Sequence, residues 1–273
     1  MKTYELIALD MDGTLLTDEK IISETTKKMI EKAVKQGKYV VLSTGRSLDE
    51  LKDNETDLMS IRYYICESGA LIYDCKEDKI LHVEQIPETY VKQILDIVKD
   101  EDVMIYYDNN GRRSISEQEK INHMDHYHMG QYQDMLKRCI VTVDHIIDHY
   151  NAHPCGVEKL NLFSASEKIR ERLYQRLKKF PLPMVYAEET SLEISPQNVS
   201  KATGLQKLCE HLGLSIEQTI AVGDSDNDLE ILKAAGLSVA MENGKAHIKE
   251  ICDVIVADNN HDGCAEAIEK FLL

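Results

Sequence analysis

Acidic and hydroxyl-bearing motifs stand directly after apolar runs in this chain. Asp10-Met11-Asp12-Gly13 follows Leu6-Ile7-Ala8-Leu9, Ser43-Thr44-Gly45-Arg46 follows Tyr39-Val40-Val41-Leu42, and Gly223-Asp224-Ser225-Asp226-Asn227-Asp228 follows Ile220-Ala221-Val222. Carboxylates such as Asp10, Asp12 and Asp224, drawn to one place, repel one another in the absence of a cation. Hard oxygen ligands with no His or Cys nearby in sequence favour Mg²⁺, which takes one or two carboxylates together with waters and phosphate oxygens. Asp228 suits either a ligand or a support for one, and the spacing leaves both open. The Thr44 hydroxyl, the Lys201 ammonium and the Asn227 amide are donors suited to a phosphoryl group. Backbone N–H groups around Met11-Asp12-Gly13 can add a nest of further donors. Each motif alone has a plainer use: D-x-D as a turn and helix cap, T-G-R as a loop, a lone lysine as solvated surface. Their joint placement at strand ends and a helix start is hard to explain by folding needs.

The elements that position them follow from periodicity. Leu6–Leu9, Tyr39–Leu42, Tyr63–Cys66, Ile220–Val222, Leu237–Met241 and Val254–Val256 read as buried strands. Thr25–Gln36 reads as a helix with Met29, Ile30, Ala33 and Val34 on one face, stopped by Gly37; further helices are expected at about 200–211, 226–235, 245–252 and 264–272. Alternating strands and helices imply an α/β fold, a doubly wound parallel sheet whose ligands sit outside the carboxyl ends of the strands. From Pro87 to about Glu188 apolar and polar residues alternate more, as in half-buried antiparallel strands with helices on one face. The expected organisation is a core (1–86 and 189–273) interrupted by an inserted α/β domain (87–188), with hinges near Glu84–Pro87 and Glu188–Leu192.

The 273 residues carry 48 Asp and Glu against 32 Lys and Arg, a net charge of −16. That balance argues against nucleic-acid and anionic-membrane partners, which need clustered basic residues. No apolar run approaches the roughly 18 residues of a membrane-spanning helix, and Met1-Lys2-Thr3-Tyr4-Glu5 lacks a signal peptide's apolar stretch. Seven cysteines without a C-x-x-C read as reduced thiols, so the expected location is cytoplasmic. The oligomeric state is not legible.

Asp10-Met11-Asp12-Gly13-Thr14-Leu15, Ser43-Thr44-Gly45-Arg46, Ser200-Lys201 and Gly223-Asp224-Ser225-Asp226-Asn227-Asp228 resemble the four motifs of the haloacid-dehalogenase-like phosphatases. The insert's placement after the hairpin Leu71–Val83 is similar to that of the Cof-type branch with a large α/β cap. Glu67-Ser68-Gly69-Ala70-Leu71-Ile72 and Asn259-Asn260-His261-Asp262-Gly263 match that branch too, apart from Ser68, where Asn is usual, and Glu242-Asn243-Gly244, where a Gly-Asn-Ala turn is usual. The resemblance covers essentially the whole chain. It implies Asp10 as nucleophile, forming an aspartyl-phosphate, and Asp12 as acid and then base. It further implies Thr44, the Gly45 amide, Lys201 and Asn227 on the phosphoryl oxygens, and Mg²⁺ between Asp10, the Asp12 carbonyl and Asp224. Arg46 is left between the cap interface and the substrate. The implied function is Mg²⁺-dependent hydrolysis of a small phosphorylated metabolite. A phosphotransferase or mutase of the same fold is the rival reading, and a receiver-like phospho-accepting module is the rival from another class. A receiver has no use for an insert or for a second acid beside the nucleophile.

Among the remaining features, His123, His126 and His128 and the i, i+4, i+8 set His145, His149 and His153 read as polar faces rather than a zinc site, which needs a closed ligand set. Tyr106-Tyr107 reads as sheet packing and Cys66 as a small buried hydrophobe.

Overall fold

The structure is a computed structural model describing residues 3–111 and 113–273. In chain order its strands are β1 (Leu6–Leu9), β2 (Tyr39–Ser43), β3 (Tyr63–Cys66), β4 (Leu71–Asp74), β5 (Lys79–Val83), β6 (Val103–Asn109) and β7 (Arg113–Glu117). There follow β8 (Val141–Val143), β9 (Lys159–Ser164), β10 (Met184–Val185), β11 (Ser191–Ile194), β12 (Thr219–Gly223), β13 (Leu237–Met241) and β14 (Val254–Val256). They form two sheets in two compact units, one comprising the residues up to Arg46, Asn54–His82 and Val199–Leu273, the other Ser47–Asp53 and Val83–Asn198.

The first unit is the doubly wound α/β core. Its strand order is β14-β13-β12-β1-β2-β3-β4-β5, parallel from β14 to β3 and antiparallel from β3 to β4. β1 and β12 are buried along their whole length, as parallel strands covered on both faces must be. The order reverses at β1, which has β2 on one side and β12 on the other. Leu9 pairs with both Leu42 and Val222, so Ser43 and Gly223 lie level with Asp10. Register alone therefore brings Thr44 and Asp224 out one residue beyond Asp10, at the switch point where such sheets bind ligands. Helix Glu24–Lys35 starts at Ser23, whose hydroxyl caps the Thr26 N–H at 3.1 Å, and buries Thr26, Ile30 and Ala33. Val34, expected on that face, is 42% exposed: the buried stripe follows i, i+4, i+7 and leaves the next position turned out.

The second unit has its own sheet, ordered β10-β11-β9-β6-β7-β8 and antiparallel except between β7 and β8. The sequence reading closed the insert at 188. β11 pairs antiparallel with β9, in the insert's sheet, and the unit accordingly extends to Asn198. Ser47–Asp53 also belongs to it: Asp49 accepts the Ser114 N–H at 3.0 Å and Asp53 takes a hydrogen bond from Arg138 at 2.5 Å. Helices were expected on one face only. One face of this sheet packs Val103, Ile105, Tyr107, Leu160 and Leu162 against helices Glu88–Val98, Ile146–Ala152 and Glu167–Leu177. Met104, Tyr106 and Phe163, which alternate with them, pack instead with Ile121, Leu136 and Cys139 from helices Gln118–Asn122 and Gln133–Cys139. Tyr107 meets Tyr150 edge-on at 5.9 Å, so the tyrosine pair packs on opposite faces. His145 and His153 flank helix Ile146–Ala152, while His123 and His126 line a cleft of about 590 Å³ in which His126 Nε2 lies 2.7 Å from Asp102.

Beyond β3 the hairpin is pinned by one buried carboxylate. Asp74 accepts from Arg62 Nε at 3.0 Å and Nη2 at 2.7 Å and from the backbone N–H groups of Lys76 and Glu77. The Arg62 guanidinium foremost, against the opposing effect of burial, holds this carboxyl below its ordinary range. A depressed pKa contributes stability above the unfolded value that is lost as pH falls through the folded one. Asp74→Asn should therefore lower unfolding stability at pH 7 by about 1.5–3 kcal/mol. In urea titrations the gap between wild type and variant should close below about pH 4, the unfolded Asp value. A gap independent of pH would show that the charge contributes nothing.

Candidate active site

The chain leaves β1 and coils once before it turns away. The Asp10 N–H donates to the Val222 carbonyl at 3.0 Å, and the N–H groups of Leu15 and Leu16 donate back to the Asp10 and Met11 carbonyls at 3.1 and 2.9 Å. Gly13 sits inside this coil at φ +80°, and a Cβ there would lie 2.8 Å from the Asp224 carboxylate, so both its conformation and its neighbour require glycine. Thr14 donates its hydroxyl to Asp224 Oδ1 at 2.8 Å, and Asn243 Nδ2 donates to the Gly13 carbonyl at 2.8 Å. Asn259 Nδ2 reaches the Leu16 carbonyl at 3.0 Å. Three segments distant in sequence, at Val222–Asp224, Asn243 and Asn259, thus fix the loop that carries the two acids.

Lys201 is the first residue of helix Lys201–Leu212, whose start is set by a capping box between Ser200 and Thr203. Its ammonium, 1% exposed, donates to Asp10 Oδ1 and, at 2.7 Å, to Asp228 Oδ1. Asp228 also accepts the Asp224 and Ser225 N–H groups at 3.0 and 3.2 Å. Asp228 thus supports both Lys201 and the Asp224 backbone through hydrogen bonds. Carboxylate oxygens of Asp10, Asp224 and Asp228 lie within 4.8 Å of one another.

The electrostatics divide the acids into two kinds. Burial pushes the Asp10 carboxyl up to about 7, against the pull of Lys201, with Asp228 and Asp224 adding to the rise. Burial likewise raises Asp224, partly offset by the Thr14 hydroxyl. Burial opposes the charge on Lys201, yet Asp10 and Asp228 hold its pKa above the ordinary range. Three crowded carboxylates, two of them raised chiefly by burial, are an oxygen donor set that a hard divalent cation fits. Asp12 is different. Burial acts to raise it, but the Arg46 fork (Nε to Oδ2 at 2.9 Å, Nη2 to Oδ1 at 2.7 Å) and Lys20 Nζ at 2.9 Å hold it below its ordinary range.

Arg46, undecided from sequence, is therefore Asp12's partner. Thr44 is buried, and its Oγ1 accepts the Arg46 N–H at 3.1 Å. Asn227 lies exposed in the turn Asp226–Asp228, its Oδ1 accepting from Ser225 at 2.7 Å, which leaves Nδ2 as the donor it can offer a ligand. Met11 is wholly buried, its place in the site being backbone only. Lys20, Thr14, Asn243 and Asn259 had no assigned role from sequence. Thr14 stood inside the first motif and could have been found there. Lys20 has no signal, because it reaches Asp12 through the tight turn Thr17–Ile21, at a φ of +61°.

The model of the haloacid dehalogenase-like hydrolases matches residues 7–268. YcsE of Bacillus subtilis (strain 168), a 5-amino-6-(5-phospho-D-ribitylamino)uracil phosphatase, is 31% identical over 274 residues, covering 98% of this chain and 96% of the relative. YitU of the same organism, a phosphatase of the same name, is 30% identical over 285 residues, covering 97% of each chain. A solved haloacid dehalogenase-like hydrolase from Bacteroides thetaiotaomicron matches with a TM-score of 0.83 at 26% identity, over 98% of this chain and 99% of that one. Among the described residues no helix is long and apolar enough to cross a membrane. With the family match running nearly end to end and the strand-end motifs gathered on one core, the chain belongs to the haloacid dehalogenase-like hydrolases, as a Cof-type phosphoric monoester hydrolase.

Proposed function

We propose that this phosphatase hydrolyses the phosphate monoester of a small metabolite through an aspartyl-phosphate on Asp10, with Mg²⁺ as its cofactor. The observation that carries the reading is the buried Asp10 carboxylate paired with Lys201 and crowded by Asp224 and Asp228. A structural ion pair gains nothing from further buried acids, whereas a phosphoryl-transfer site needs a nucleophile, a cation and metal ligands together. The names of YcsE and YitU, phosphatases of a phosphoribitylamino compound, support a small phosphorylated metabolite as substrate class.

In this reading an Asp10 oxygen attacks phosphorus while the bond to the leaving oxygen breaks, and Asp12 gives that oxygen its proton. Water then attacks the phosphorus of the aspartyl-phosphate, Asp12 takes the water's proton, and the bond to Asp10 breaks to release inorganic phosphate. The Thr44 hydroxyl, the Met11 and Gly45 amides, the Lys201 ammonium and the Asn227 amide orient the phosphoryl oxygens. Arg46 and Lys20 favour the ionised form of Asp12, the form it needs as base, so Asp12 leaves at least one of these cations to carry the proton of the first step. Mg²⁺ held by Asp10, Asp224 and the Asp12 carbonyl would supply the positive charge that lets these carboxylates stay ionised beside a phosphate dianion.

Chelator should abolish phosphate release from p-nitrophenyl phosphate and added Mg²⁺ restore it, whereas Zn²⁺ should substitute poorly for want of His or Cys ligands. Full turnover in excess chelator would remove the metal from the mechanism. Asp12→Asn removes both proton transfers, each worth about 10²–10⁴-fold in rate. On an alkyl phosphate the variant should scarcely react. On p-nitrophenyl phosphate, whose leaving group needs little protonation, it should release a burst of nitrophenol near one equivalent and accumulate protein-bound phosphate that hydroxylamine removes. Asp10→Asn should show neither. Equal steady-state rates for wild type and Asp12→Asn on the alkyl phosphate would sink the acid–base assignment.

A further inference from the structure

Among the described residues, two consecutive non-glycine residues with positive φ occur only after β3. Glu67, Ser68 and Gly69 follow one another at φ +52°, +56° and +107°. The left-handed region disfavours a residue with a Cβ on the order of tenfold, so such a turn persists only where its surroundings hold it. The holding bonds are specific. The Glu67 N–H donates to the Arg46 carbonyl and the Ser68 N–H to the Thr44 carbonyl, each at 3.0 Å, while the Thr44 N–H donates to the Ile65 carbonyl at 2.8 Å. A trans peptide sets its C=O and N–H on opposite sides. Tying the Thr44 carbonyl to the turn therefore aims the Gly45 N–H the other way.

The third residue of the turn faces a different motif. A Cβ on Gly69 would lie 2.0 Å from the Ser200 carbonyl oxygen and 3.2 Å from the Lys201 nitrogen. The turn thus lies flat on the first turn of the helix that begins with Lys201. One strained three-residue segment touches both the loop carrying Thr44 and Gly45 and the helix end carrying the buried ammonium. Both touches are made through the turn's backbone, and the Ser68 hydroxyl also faces the loop, 3.5 Å from where a Cβ on Gly45 would stand.

We propose that Glu67–Gly69 is a positioning turn that sets the Gly45 amide and the Lys201 ammonium at a fixed separation for two oxygens of one phosphoryl group. This rests on the reading of Gly45 and Lys201 as phosphoryl ligands. Because the turn acts through its φ values, residues that accept the left-handed region should preserve it and a β-branched residue should not.

The test uses the full chain with Mg²⁺, titrated calorimetrically with inorganic phosphate, alongside kcat and KM for p-nitrophenyl phosphate. Ser68→Gly should keep phosphate affinity close to wild type. Ser68→Val should weaken it about tenfold, the population cost of the disfavoured conformer. KM should rise in parallel. Gly69→Ala, which displaces the start of the helix, should lower kcat as well; where it fails to fold, the Ser68 pair still decides. Ser68→Val that is folded by circular dichroism and binds phosphate like wild type overturns the proposal. So does Ser68→Gly losing as much affinity as Ser68→Val, since the hydroxyl and not the backbone would then be at work. Lys201→Ala serves as reference: lost affinity there with none lost in Ser68→Val overturns the positioning role alone, and no loss in either overturns the phosphate assignment and the proposal together.

Discussion

A lysine ammonium buried at the start of a helix is an unfavourable object, and this site is built around one. Lys201 opens helix Lys201–Leu212, the end whose dipole repels a positive charge, and it is removed from water. It stays charged because Asp10 and Asp228 flank it, each buried and each bringing one carboxylate oxygen to its Nζ. Breaking such a pair by removing one partner typically costs about 3–5 kcal/mol, because the other charge is left buried and alone. The arrangement therefore locks three elements: the end of β1, the turn after β12 and the start of the helix between them. Its retention at that cost makes sense where positive charge must face a phosphoryl group in a low-dielectric setting.

Asp12, only two residues from Asp10, is treated in the opposite way. Its partners are cations, Arg46 and Lys20, and its side chain keeps 43% exposure. Asp10 thus sits on the dry side of the turn and Asp12 on the wetter side, a division that suits the nucleophile and the proton carrier proposed for them. The coil at Gly13 is what separates them, since an extended D-x-D would set both carboxylates on one face of the strand. Asn243 and Asn259 hold that coil by bonds to its carbonyls, while the side chains of Met11, Leu15 and Leu16 within it are buried.

The second unit uses its sheet differently from the first. The core strands are apolar on both faces, as buried parallel strands must be, while β6 and β9 carry a hydrophobic set on one face and a mixed set on the other. On that mixed face Asp108 and Lys159 stand opposite each other, beside the pair Tyr106 and Asn161. An antiparallel sheet tolerates such a face because its alternation leaves the packed side intact.

Much of this was legible in residues 1–46 and 219–256 taken as a string. The strands of the core, their order of motifs and the acids at their ends follow from apolar runs that stop at polar residues, because a buried parallel strand admits little else and register then levels the ends. The pairing of Asp12 with Arg46, the reach of Lys20, the support from Asn243 and the strained turn at Ser68 were not legible, since each depends on where a loop's backbone points rather than on residue type. The close of the insert differs for a related reason: the segment at Glu188–Leu192 reads as a hinge from its sequence, whereas β11 there pairs with β9, some thirty residues earlier, and so joins the insert's sheet. Residue pattern determined which segments must be buried and which chemistry could gather at the sheet's edge. Only tertiary structure decided which charges neutralise one another there, because ion pairs and backbone hydrogen bonds between distant segments leave no periodic trace in the chain.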